Sequence, residues 1–205
     1  MRTSTLMRGL LAGTFLLSSF VVAATVQDPQ SIVRETGDRV LAEVTARKAD
    51  LEANPDLIYP LVQETVVPHF DFRRMSRSAL GRFWRKATDE QKVAVTNEFR
   101  QLLVRTYATA LLSYSGEQIQ YLPVQYRPGD TKVMISTRIA AGGAPPVPVN
   151  YRLRLNGETW KVYDVVIDGV SLITNYRSQF ATEVRRGGID GLISSLAAKN
   201  GKTAK

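Results

Sequence analysis

The chain has 205 residues, with 27 Lys and Arg against 19 Asp and Glu, one His and no Cys. That length suits a single domain with one sizeable core. The absence of Cys excludes disulfides and thiolate metal sites, and the formal charge of +8 favours anionic partners: lipid headgroups, nucleic acid or acidic proteins.

Residues 1–24 read as a secretory signal peptide. Arg2 and Arg8 give a basic start, Leu10, Leu11, Phe15 to Leu17 and Phe20 to Val22 an apolar centre, and Ala23-Ala24 a small-residue cleavage site. A membrane anchor is the rival, but Gly9, Gly13, Thr14, Ser18 and Ser19 interrupt the run, and a span needs about 20 apolar residues. No Cys follows to carry a lipid anchor. Export makes nucleic acid the least expected partner. It leaves one domain over 25–198 and a polar tail over 199–205, which is expected to be disordered.

Helices come first. Asp28-Pro29 supplies an N-cap acid and a proline at the first helical position, and Val33, Val40, Leu41, Val44 and Leu51 follow at helical spacing. Asn54-Pro55 opens a second helix with Leu57, Ile58, Leu61, Val62 and Val66, which Pro68 should end. Asp71 caps a third, running to Leu80 and stopped by Gly81. Thr88 to Gln91 has the form of a capping box. Behind it, Val95, Phe99, Leu102, Leu103, Thr106, Tyr107, Ala110, Leu111 and Tyr114 form one broad stripe.

Near Gly116 the period changes from helix to strand. Ile119 and Tyr121, then Val124 and Tyr126 past Pro123, predict a first strand. Val133, Ile135, Thr137 and Ile139 alternate with polar neighbours to predict a second. After the loop Gly142 to Pro146, a third carries Val147, Val149, Tyr151, Leu153 and Leu155. Asn156-Gly157 is a hairpin turn, and Trp160 to Ile167 returns as the fourth strand. Past Asp168-Gly169 a helix carries Ile173, Tyr176, Phe180 and Val184 and ends at Gly187-Gly188. A last helix carries Ile189, Leu192, Ile193 and Leu196. The class is α+β: a curved four-stranded antiparallel sheet with helices on one face.

Chemistry-bearing motifs are few. His69, the single histidine, cannot build a zinc site alone. No G-x-S-x-G elbow, P-loop or G-x-G-x-x-G occurs. Asp164 and Asp168 fall on one face of an ideal strand and invite an acid–base reading, although turn caps and salt bridges use the same residues. The cluster Arg73, Arg74, Arg77, Arg82, Arg85 and Lys86 is either a solvated helix face or a contact patch for an acidic partner or lipid phosphates. Periodicity does not separate a filled apolar space from a hollow one.

Two segments resemble a known family. One runs Asp71-Phe72-x-x-Met75, Ala79-Leu80-Gly81-x-x-Trp84-x-x-Ala87 and on through Gln91 to Thr106-Tyr107-Ala108. The other runs Tyr151-Arg152-Leu153, Trp160 to Val165, Asp168-Gly169-Val170-Ser171-Leu172 and Tyr176-Arg177-Ser178-Gln179-Phe180. Both are similar to the MlaC family of periplasmic phospholipid-binding proteins, also called toluene-tolerance proteins. The resemblance implies a soluble carrier without cofactor or metal, expected to be monomeric. Its acyl chains lie in an apolar cavity between curved sheet and helices. Its partners are an outer-membrane lipoprotein complex and an inner-membrane ABC transporter complex.

On that resemblance the expected lipid slot takes Val133, Ile135, Val147, Val149 and Tyr151 from the sheet and Leu103, Tyr107 and Leu111 from the long helix. Val166, Ile173 and Tyr176 are secondary members, and Arg73, Arg77 and Arg85 the expected docking residues. Two rivals stay open: a small pocket enzyme of ketosteroid-isomerase shape using Asp164, Asp168 or His69 as base, and a periplasmic adaptor with a solid core.

Overall fold

The computed structural model describes residues 27–127, 129–140 and 145–202. The signal-peptide reading lies outside the described residues, as do Gly142 to Ala144 of the loop and the last three residues of the expected tail.

Caps written in the sequence set most helix starts. Asp28 opens α1 (Pro29–Ala46), its carboxylate accepting from the Ser31 amide at 2.9 Å. A kink at Arg47 leads into the short α2 (Lys48–Ala53), where one continuous helix was expected. Asn54 caps a 3-10 turn, Pro55–Leu57, that feeds α3 (Ile58–Thr65). Pro68 sits in the next 3-10 turn, Val67–His69. Asp71 caps α4 (Phe72–Leu80) through the Arg74 amide at 2.9 Å. Gly81, at φ 58°, turns the chain into the 3-10 segment Gly81–Arg85. The Thr88–Gln91 capping box forms in both directions and starts the 24-residue α5 (Asp89–Leu112).

The sheet is antiparallel and open, with strand order equal to chain order: β1 (Gln118–Tyr121), β2 (Lys132–Ala140), β3 (Val147–Asn156), β4 (Thr159–Ile167) and β5 (Val170–Ser171). The fifth strand corrects the expected four. Asp168 and Gly169 both take positive φ, 47° and 79°, which makes them the two-residue hairpin turn between β4 and β5. The first strand also ends earlier than expected, at Tyr121. Pro123 has no N–H to give to a ladder, and the Tyr126 hydroxyl instead donates to Asp28 at 2.9 Å.

A register shift between Arg152 and Leu153 leaves Tyr163 as an extra residue on β4: Leu153 pairs with Val162, Arg152 with Asp164. Such a bulge bends the strand and exchanges its faces. Val165 and Ile167 therefore join the helix-facing side, while Val166 pairs with Asn150 on the other.

α6 (Leu172–Lys202) is two helical arms joined at Gly188, whose φ 69°, ψ −172° is essentially restricted to glycine. The Gly187-Gly188 break is where the sequence placed it. The second arm runs to Lys202, so 199–202 is helical rather than a disordered tail. It is tied down by Gln91 to Asp190 at 2.8 Å and Asn200 to the Glu98 carboxylate at 2.7 Å.

Buried apolar residues gather in three clusters. Met75, Leu80, Trp84, Phe99, Leu103, Tyr176 and Phe180 belong to one among α4, α5 and α6. Val40, Leu51, Ile58, Leu61 and Ala108 belong to another among α1, α2, α3 and α5. Ile32, Val33, Val133, Ile135, Leu153, Trp160 and Leu172 belong to the third, on the sheet.

Asp164 fixes how sheet and α6 join. Only 3% exposed, its carboxylate accepts from Arg152 at 3.0 Å, the Ser171 hydroxyl at 2.8 Å and the Ile173 amide at 3.2 Å. Ser171 in turn accepts from the Thr174 amide at 3.1 Å. Removing the charge breaks a network centred on a buried carboxylate. Asp164→Asn should therefore lower unfolding free energy by about 3 kcal/mol in urea titrations, with β-sheet and helix signals lost together.

Candidate functional site

The helix-facing side of the sheet is a set of apolar rows running across the strands. From one end they are Ile119–Ile139–Val147, Tyr121–Thr137–Val149–Ile167, Ile135–Tyr151–Val165, Val133–Leu153–Val162 and Leu155–Trp160. Burial grades along this axis. Leu153, Val162 and Trp160 are buried, Ile119 and Ile139 are half-buried, and Val147 is 43% exposed. The face is thus closed at the β3–β4 hairpin end and uncovered at the Val147 end.

α1 closes one flank. Ile32 and Val33 pack in the sheet cluster, and Val40 and Val44 in the α1–α3 cluster. Gly37 permits the approach, since a Cβ there would stand 2.9 Å from the Tyr121 hydroxyl oxygen. The Arg34 guanidinium lies over the Tyr121 ring at 4.3 Å. Burial, with Asp38 close by, pushes the Tyr121 phenol up to about 12. The other flank is joined where Phe70 packs against two clusters and where α6 places Leu172 in the sheet cluster and Ile173 in the helical one.

Between those seams the two layers stay separate. α5 contributes nothing to the sheet cluster, and no strand residue enters the two helical clusters. The principal neighbours of α5 are α3, α4 and α6. Leu103 is buried, Leu111 half-buried and Tyr107 37% exposed. Burial raises the phenols of Tyr107, Tyr151 and Tyr176, so these hydroxyls stay protonated.

The expected slot residues thus divide. Val133, Ile135, Val149 and Tyr151 share the sheet face, with Val147 at its uncovered end. Leu103, Ile173 and Tyr176 sit in the α4–α6 cluster, and Leu111 packs against the α1–α3 cluster. Val166 is corrected: the bulge turns it to the outer face, beside Asn150 and Ser171. Val165, Ile167 and Ile119 share this helix-facing side and were not among the expected slot residues. Alternation from β1 would have found Ile119; nothing in the pattern announces the bulge that selects the other two.

Two hollows stand out among the described residues, and neither reaches the inner sheet face where the slot was expected. One, about 390 Å³, opens between the arms of α6 and α5, with Leu102, Tyr176, Phe180, Leu192 and Leu196 in its wall. The other, about 360 Å³, lies between the turn before α4, the middle of α5 and the β3–β4 hairpin.

The candidate acid–base groups have structural positions. Asp164 caps α6, and Asp168 forms the β4–β5 turn. His69 is half-buried on the turn before α4. Arg77 and Arg85 are exposed, while Arg73 lies 5.9 Å over the Trp84 ring. No helix of the described residues is long and apolar enough to cross a membrane.

The family model described as MlaC protein matches residues 34–198. The chain is 29% identical over 204 residues to the toluene tolerance protein ttg2D of Pseudomonas putida, covering 98% of this chain and 93% of that protein. It is 26% identical over 191 residues to the intermembrane phospholipid transport system binding protein MlaC of Haemophilus influenzae, covering 89% and 88%. A solved phospholipid-binding protein from Ralstonia solanacearum, in complex with a phospholipid, superposes with a TM-score of 0.81 at 36% identity, covering 87% of this chain and all of that one.

Burial first, then Lys161 and Arg39, holds the His69 imidazole below its ordinary 6.5, with Glu35 opposing. The unfolded chain therefore takes up a proton that the folded one resists. The stability at stake is complete above that value and is lost as pH falls from it towards the folded pKa. Between about pH 8 and pH 5.5, urea midpoints should fall further for the wild type than for His69→Gln.

Proposed function

We propose that this chain, which belongs to the MlaC family, carries phospholipid through the periplasm between the outer and inner membranes and so maintains outer-membrane lipid asymmetry. The observation that carries this reading is the phospholipid-bound relative of the same fold. The apolar sheet face and the apolar stripe of α5, joined only at their flanks, give tails a place to enter.

Each methylene withdrawn from water contributes about 0.8 kcal/mol, so one ordinary acyl chain gains on the order of 10 kcal/mol. A carrier needs no reacting group. It needs layers that can part, an uncovered edge for the headgroup, and docking surfaces at each membrane, because unaided escape of tails into water is slow. Val133, Ile135, Val149, Tyr151, Val165 and Ile167 form the proposed sheet wall. Leu103, Tyr107, Leu111, Ile173 and Tyr176 form the proposed helical wall, and Val147 marks the mouth. Arg73, Arg77 and Arg85 are the proposed docking residues for the outer-membrane lipoprotein complex and the inner-membrane ABC transporter complex.

Mature protein purified from its own cells without added lipid should yield stoichiometric phospholipid when denatured, extracted and analysed by mass spectrometry. An empty extract would overturn the reading. Val147→Glu places a charge at the mouth but at an exposed position. It should lower extracted lipid several-fold while changing unfolding free energy by less than about 1 kcal/mol.

Arg77→Glu with Arg85→Glu should slow lipid transfer between membranes and leave extracted lipid unchanged. Loss of the lipid itself would place these residues in the slot instead.

A further inference from the structure

The smaller hollow has a chemistry that lipid tails do not use. Arg73 from α4, Arg100 from α5 and Lys161 from β4 converge on it with Thr96 and Asn156. The single carboxylate in its wall, Asp71, already serves Arg74: one oxygen accepts from its amide at 2.9 Å, the other faces its Nε at 3.4 Å. Lys161 reaches the Pro68 carbonyl. The Arg100 Nε is sealed from solvent and has no hydrogen-bond partner among the described residues.

A buried, unpartnered guanidinium N–H is costly, and a charged acceptor relieves that cost better than a neutral one. Three cations against one occupied carboxylate call for an acceptor with several oxygens and more than one lone pair to share. Guanidinium forks match phosphate in this way. The rest of the lining includes apolar side chains: Val67, Pro68 and the Phe70 and Phe72 rings, stacked with centroids 5.7 Å apart. A hollow lined by both cations and aromatic carbon suits a phosphate that carries a small organic group.

We propose that this hollow binds a phosphate ester, held by Arg73, Arg100 and Lys161, at a site separate from the lipid slot. Separation follows from the sheet. Asn156 at the end of β3 and Lys161 of β4 belong to the outer sheet face, and Val147, the proposed mouth of the slot, begins β3, so nine residues at about 3.3 Å place hollow and mouth roughly 30 Å apart. The same chemistry is offered by the headgroup of a membrane phospholipid and by a soluble phosphate ester.

The test titrates the mature protein with inorganic phosphate and with glycerol phosphate by calorimetry, while NMR follows the Arg100 Nε–H signal. Both probes should bind saturably and move that signal. Arg100→Gln and the exposed Arg73→Gln should each weaken binding at least ten-fold. Phosphatidylglycerol vesicles that displace glycerol phosphate, where phosphatidylcholine vesicles of the same size also compete, identify a lipid phosphate as the ligand. Binding untouched by either vesicle identifies a soluble ester. Absence of saturable phosphate binding, or binding indifferent to both substitutions, overturns the proposal. Arg73→Gln keeps the test sound if Arg100→Gln does not fold. Absence of phosphate binding here would leave the lipid extracted from the wild type, and with it the carrier reading, untouched.

Discussion

The buried Asp164 carboxylate holds the two layers of this molecule in register. It sits at the β4 bulge and takes hydrogen bonds from β3 through Arg152, from β5 through Ser171 and from the first turn of α6 through the Ile173 amide. A carboxylate at a helix N-terminus is favoured by the amides that point at it. Here it also decides where α6 leaves the sheet. Leu172 goes to the sheet cluster and Ile173, one residue later, to the helical cluster. Without that anchor Phe70 would have to tie the two apolar layers along this flank without the start of α6.

The anchor bears on how such a molecule takes in a guest. Its layers are joined by α1 on one side and by Phe70 with the α6 start on the other. Separate clusters can move apart at less cost than one fused core, because fewer contacts are broken. The inner sheet face need not hold an empty room in advance; the hollows lie elsewhere. Tails entering from the uncovered Val147 end would replace contacts between side chains with contacts to hydrocarbon, which keeps the exchange nearly balanced in dispersion terms while removing the tails from water.

Local chemistry made much of this legible. Asp28, Asp71 and the Thr88–Gln91 box mark helix starts because their side chains satisfy amides within three residues. The alternation in β2 and β3 marks a sheet with one apolar face for the same short-range reason. What escaped depends on partners far along the chain. The Tyr163 bulge shows only against β3, and it turns Val166 to the outer sheet face and Val165 and Ile167 to the inner one. The fifth strand is two residues long and exists because β4 is there to pair with. The helical end past Lys199 is held by Glu98, about a hundred residues earlier. The cationic hollow gathers three segments that no motif connects.

Charge placement adds a constraint of its own. On the outer sheet face, Lys132, Arg154 and Lys161 stand directly opposite one another across three strands. Like charges in that arrangement oppose pairing. One of the three is relieved locally, as Lys161 turns to the Pro68 carbonyl. Arg152, in the neighbouring row, has Asp164. Packing on the inner face, where Leu153, Val162 and Trp160 are buried behind this row, outweighs what repulsion remains. The row nearest the uncovered end, Gln120, Arg138 and Pro148, holds a single charge, so strand pairing there meets no like-charge repulsion and depends less on an inner face packed behind it.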